Sequence, residues 1–188
     1  MKIKRINLLL FIFLSAAAFG FAQDAKTTQK STQKPIKKVS APAAPAISQD
    51  DKAKAEEYFK KGQAFWKNLD INEAIEAFTQ ALKLYPNYIE AFGERGKIYS
   101  LIGNNKEAVD DLTVYLKAQP DSVEFLNFRG TAYSALAEDE LKYEENRDKA
   151  AANAQKAETD FNRILTIAPG ESRALNNRGR IFLLFGLY

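Results

Sequence analysis

From residue 52 to residue 188, apolar and polar positions recur in a fixed order. YFKKGQAF from Tyr58, FGERGKIY from Phe92, LNFRGTAY from Leu126 and LNNRGRIF from Leu175 share one pattern. Each sets a large apolar residue four before, and another three after, a central glycine, which is helical spacing. Gly62, Gly96 and Gly130 stand 34 residues apart, and Gly179 lies 49 beyond the third. After the first three segments come EAIEAFTQALKLYP, EAVDDLTVYLKAQP and KAETDFNRILTIAP, ending on Pro86, Pro120 and Pro169. Proline cannot continue a helix, so each of these runs stops there. Asp70 with Glu73, Asn104 with Glu107, Asn87 with Glu90 and Asp121 with Glu124 form acceptor-x-x-Glu boxes that predict helix starts. The pattern predicts an all-α chain built on an internal repeat.

The repeat resembles the tetratricopeptide repeat, a helix–turn–helix unit of about 34 residues. The matching residues are Tyr58, Gly62, Phe65, Ala74, Phe78, Ala81 and Pro86, then Phe92, Gly96, Tyr99, Ala108, Leu112, Tyr115 and Pro120. Leu126, Gly130, Tyr133, Ala157, Phe161, Ile164 and Pro169 follow, and Leu175, Gly179 and Phe182 open a fourth unit. The resemblance implies a solenoid of antiparallel helix pairs over residues 51–188, about three and a half repeats. Their expected spans are 55–88, 89–122, 123–171 and a half repeat at 172–188. Glycines and small alanines let the paired helices approach closely, and the aromatics fill the space between units.

Two departures stand out. Lys61, Arg95, Arg129 and Arg178 precede the glycines, where the family usually places an apolar residue. They are expected to pair with acids on the preceding unit's second helix, such as Glu76 or Asp110, as an inter-repeat ladder; ligand binding is the alternative. The third repeat also carries fifteen extra residues, centred on 137–153. These predict a helical-hairpin extension with its tip near Glu144–Asp148, each helix about two turns longer than its neighbours. Glu138 with Lys142 and Glu145 with Lys149 would support it. Its carboxylates lack the ligand spacing of a calcium loop.

Residues 1–22, MKIKRINLLLFIFLSAAAFGFA, have a basic start, an apolar run from Ile6 to Leu14 and a small-residue end. They read as a signal peptide cleaved after Ala22, and the run is short for the roughly 20 apolar residues of a membrane span. The expectation is an exported, periplasmic or secreted protein of bacterial type; the alternative is tethering to the inner membrane by an uncleaved signal anchor. Residues 23–50, rich in Lys, Pro, Ala, Ser, Thr and Gln, read as a disordered linker.

Charge and composition narrow the function. The formal net charge is +3, but Lys2, Lys4 and Arg5 lie in the leader, and residues 23–49 hold five lysines against Asp24. The repeats are therefore acidic, which argues against a nucleic-acid surface. Cysteine and histidine are absent, and the only methionine is Met1. That removes disulfides, thiolate zinc sites, cysteine nucleophiles and histidine general bases. Neither a cofactor nor a metal is expected, and the chain reads as a non-catalytic scaffold.

The family commonly holds an extended peptide or a partner helix in the groove lined by first helices. Helical spacing from the glycines selects Phe59, Gln63, Trp66, Glu94, Lys97, Asn127, Thr131, Asn176 and Arg180 as groove-facing candidates. Asparagine can bond both groups of a peptide backbone, and Arg180 a carboxylate. Trp66 has two readings, an anchor at the groove mouth or packing against its own unit's turn. Chaperone-tail-binding members use two lysines, two asparagines and an arginine as a carboxylate clamp. Phe59 and Gln63 occupy two of those places, so that ligand is not implied. The expected partner is a protein or peptide, with no nucleic acid and no membrane after cleavage. The apolar end IFLLFGLY either caps the third unit or supports self-association through the C-terminal helix. An oligomerising subunit of an envelope complex is the second functional reading.

Overall fold

The computed structural model describes residues 47–185; the leader, nearly all of the linker and the last three residues lie outside them. Seven α-helices follow one another with no strand among the described residues: α1 Gln49–Lys67, α2 Ile71–Leu84, α3 Ile89–Leu101, α4 Asn105–Ala118, α5 Val123–Glu140, α6 Arg147–Ile167 and α7 Ser172–Phe185. A 3-10 turn at Glu144–Asn146 links α5 to α6. The helices pair as α1–α2, α3–α4 and α5–α6, and α7 packs on α6 and α5. The fold is the all-α helix-pair solenoid that the repeat implied.

Recurrent local chemistry makes the pairs. Phe78, Leu112 and Phe161 are fully buried, each beneath a glycine of the facing helix. A Cβ on Gly62 would sit 2.8 Å from the Phe78 ring, on Gly96 2.9 Å from Leu112, and on Gly130 2.7 Å from Phe161. The glycines are thus required by close approach of a ring or branched side chain, at interior packing density. Ala74, Ala108 and Ala157, all fully buried, complete the seams.

The turns repeat as well. Helices α1 and α3 close with the same long-range bond, Asp70 N–H to the Phe65 carbonyl and Asn104 N–H to the Tyr99 carbonyl, each 2.9 Å. This is the Schellman arrangement, whose C′ residue is left-handed. Gly103 takes that position at φ 83°, but its counterpart one repeat earlier is Leu69 at φ 64°. Leu69 is 73% exposed, so its side chain gains little from packing. Left-handed backbone costs a non-glycine residue ~1–2 kcal/mol. Leu69→Gly should therefore stabilise the protein by roughly 0.5–1 kcal/mol after the greater unfolded-state freedom of glycine is offset. Urea unfolding followed by circular dichroism measures it, and a loss of stability would refute the strain.

Several expectations need correction. Helix α1 begins at Gln49, inside the expected linker, because the Ser48 hydroxyl accepts from Asp51 N–H at 3.0 Å and caps it. Asp70 and Asn104 do occupy N-cap positions, but neither side chain makes a cap bond. The caps of α3 and α5 are Tyr88 and Ser122, one residue past Asn87 and Asp121. Asp121 instead accepts from Arg163 Nε at 2.9 Å. In the third pair, α5 runs 18 residues and α6 21, against 13 and 14 for α3 and α4. Because α5 stops at Glu140, Lys142 pairs with Asp139 at 2.6 Å, not with Glu138. Glu145 lies in the 3-10 turn, and Lys149 approaches Asn146 instead.

The cation ladder also has another geometry. Arg95 donates from Nε and Nη2 to both Asp111 oxygens at 2.7 and 2.9 Å, and from Nη1 to Thr79 Oγ1 at 2.9 Å. Arg129 repeats this with Asp160 at 2.9 and 2.7 Å and Thr113 at 3.3 Å. The acids belong to the same unit's second helix, while the preceding unit offers a neutral hydroxyl. Glu76 and Asp110 face solvent; one residue further round the helix, Asp111 is buried. Burial pushes the Asp111 and Asp160 carboxyls above the ordinary range, against the pull of their arginines. Among the described residues, the carboxylate that pairs with Lys61 is Glu57 of its own helix.

Candidate functional site

Helix α5 touches both α3 and α7 directly, so these three first helices form a continuous face. On it Lys97 Nζ lies 2.6 Å from Glu124 Oε1 and 5.7 Å from the Phe128 ring centroid. Glu94 stands beside this pair. Burial pushes its carboxyl up, Lys97 pulls it down, and Glu124 raises it further. Ser100 donates to the Phe128 carbonyl at 3.2 Å, tying α3 to α5. One helix on, Asn177 Nδ2 reaches both Asn127 Oδ1 and Thr131 Oγ1 at 3.4 Å. Arg180 Nη2 meets Glu138 Oε1 at 2.5 Å.

Of the expected groove residues, Glu94, Lys97, Asn127, Thr131 and Arg180 are thus brought into one strip across three helices. Gln63 and Asn176 are exposed, with no hydrogen bond to another described side chain. Phe59 is half-buried and packs on neighbouring rings. Its ring centroid lies 5.5 Å from that of Phe78 and 4.9 Å from that of Tyr88. Trp66 is half-buried against the same cluster, which is the packing reading rather than an exposed anchor.

Glu124, Phe128, Asn177 and Glu138 belong to the strip and were not selected from sequence. The repeat held the signal for two of them. Residues 94, 128 and 177 share one register, so choosing Glu94 implied Phe128 and Asn177. Glu124 and Glu138 follow only from side-chain reach across the inter-helix gap.

The strip can bond polar backbone and receive mixed charges. It holds the carboxylates Glu94, Glu124 and Glu138 against the cations Lys97 and Arg180, and both cations are already paired. Such a balance does not make a pocket for a chain-terminal carboxylate, which needs surplus positive charge. No described helix is long and apolar enough to cross a membrane.

Comparison with known proteins agrees with this architecture. Residues 55–88 match the tetratricopeptide repeat family model. No curated protein matches the chain. Among solved structures, the first TPR of Spaghetti (RPAP3) bound to the HSP90 peptide SRMEEVD is similar, at 20% identity and TM-score 0.58. The alignment covers 72% of this chain and 95% of that one. The TPR domain of Arabidopsis OM64 shows 21% identity and TM-score 0.55, over 70% and 96% of the two chains. MamA from Desulfovibrio magneticus RS-1 shows 20% identity and TM-score 0.58, over 70% and 66%. At these identities the likeness is one of fold.

Proposed function

We propose that this tetratricopeptide-repeat chain is a non-catalytic scaffold of the cell envelope that holds a peptide or partner protein along its first-helix face. The observation that carries this reading is the strip from Lys97 to Arg180. It places Lys97, Thr131 and Arg180 one residue past the glycine of three first helices, with the amides of Asn127 and Asn177 beside them. Repetition at a fixed spacing suits an extended or helical polymer better than a compact metabolite. Arg95 and Arg129 with Gly62, Gly96 and Gly130, by contrast, are occupied in the core seams and offer a substrate nothing. Export is supported by the leader over residues 1–22, and the linker would let the repeats reach away from the site of insertion.

The RPAP3 relative holds an HSP90 peptide, but the balanced charge of this strip argues for a partner without a terminal carboxylate. Photo-crosslinking in the native envelope tests the proposal, with a probe residue at position 127 or 177 expected to capture the partner. A second reading, an oligomerising subunit, is favoured by Leu175, Leu183 and Leu184, which stand exposed on α7.

A further inference from the structure

Helix α5 packs on both α4 and α6, and a groove of about 700 Å³ opens between those two second helices. Tyr133 and Leu136 of α5 give it an apolar floor, which Val109 and Val114 of α4 extend. The α6 wall carries Asn153 and Lys156. Asn153 has the register of Asn104, the N-cap of α4, yet it lies inside the longer α6. The third unit therefore raises a wall of helix where the second unit only begins one. Asn153 Nδ2 donates to Glu140 Oε2 at 3.0 Å, which ties that wall to α5.

The rim is cationic. Lys106 and Lys117 stand on α4 and Lys156 on α6, against Asp110 as the one acid among the lining residues. This leaves a surplus of two positive charges, on repeats that are acidic as a whole. Lys156 Nζ sits 5.3 Å from the centroid of the Tyr133 ring, so its charge is held over the floor. Among the described residues none of the three ammonium groups pairs with a carboxylate, whereas Lys97 on the first-helix face is held by Glu124. One unit earlier the same register reads Asn72, Glu76 and Lys83 on α2, with Glu107 on α4. There one cation faces two acids. The helix-pair framework is common to both places, so it does not itself call for the three lysines.

We propose that this groove is a second docking site, taking an extended acidic segment of a partner protein whose carboxylates flank one or two large apolar side chains. Lys106 and Lys117 lie eleven residues apart, about 16 Å along α4. An extended chain covers that span in about five residues. Its carboxylates meet the lysines, and its apolar side chains cover Val109, Tyr133 and Leu136. The site is independent of the first-helix strip, whose two cations are already paired. A partner held here is a second one, so a crosslinking probe at Lys117 would give an adduct distinct from any shared by first-helix positions.

The probe is an end-blocked hexapeptide of two leucines with two glutamates on each side, carrying a neutral dye and titrated into the full chain by fluorescence anisotropy. Saturable binding is expected, with a Kd below about 1 mM. Lys106→Asn with Lys156→Glu gives the groove the residues of the earlier unit, Asn72 and Glu107, and should weaken binding at least about tenfold. Both lysines are exposed, so thermal unfolding should stay unchanged. Lys67→Asn with Lys83→Glu removes the same charge outside the groove and should leave binding within about twofold. A peptide with serines for the leucines should bind about fivefold more weakly, because apolar contact is lost. Absence of saturable binding would overturn the proposal. So would equal affinity in the groove variant and the native chain, or an equal loss in the charge-matched control. Equal affinity of the serine peptide would reduce the groove to a diffuse positive field and overturn it as well.

Discussion

Replacing Phe161 by alanine should lower the free energy of unfolding by about 3–5 kcal/mol, as truncation of a fully buried aromatic does. Phe161 has no exposed surface and belongs to the larger of two core clusters, together with Ala132, Ala157 and Ile164. Its ring fills the space that Gly130 leaves, at a distance where even one added carbon on α5 would collide. The alanine variant cannot collapse this gap easily, because α5 and α6 are already held in register by the Arg129–Asp160 fork. Equilibrium denaturation measures the loss, and hydrogen exchange should show α5 and α6 losing protection first. A loss below about 1 kcal/mol would show that the third pair is loosely packed and that the glycine seam is not what joins it.

Arg129→Ala should cost about 3–5 kcal/mol, because it strands a buried carboxylate. Asp160 is 3% exposed and its two oxygens are both taken by the arginine. The pair need not be a net source of stability, since desolvation of two charges consumes much of the attraction. Arg129→Met with Asp160→Leu should therefore recover most of the single-variant loss. The first unit shows the apolar solution in place. At the register of Asp111 it carries Ala77, and its Lys61 is exposed. A double-mutant cycle by urea denaturation checks the coupling. Additive single effects would contradict the fork, as would a double variant no more stable than Arg129→Ala.

The helix pairs were legible because their cause is local and repeated. Phe78, Leu112 and Phe161 announce the seams through residue type and spacing, and Pro86, Pro120 and Pro169 mark each second-helix stop. Partner choice across helices was less legible. Arg95 could be paired on paper with Asp110 or Asp111, which differ by one position; only the rotation of α4, which buries Asp111, decides between them. Caps failed for a related reason. The acceptor-x-x-Glu pattern marks a helix start to within a residue, whereas the side-chain bond depends on backbone angles that Asp70 and Asn104 do not adopt. On the first-helix face, helical spacing selected Lys97, Asn127 and Arg180, whose side chains reach Glu124, Asn177 and Glu138. The packing of Phe59 against Phe78 and Tyr88 was not legible, since it depends on how two units' rings meet across the turn between them.

The central claim is that partners bind the first-helix face, and photo-crosslinking in the native envelope tests it most directly. Probe residues at Gln63, Lys97, Asn127 and Asn177 sample that face, and probes at Glu76, Asp110 and Lys117 sample exposed positions on the second helices. The account predicts one discrete protein adduct shared by first-helix probes and absent from the second-helix set. Adducts formed only from the second-helix positions would contradict it.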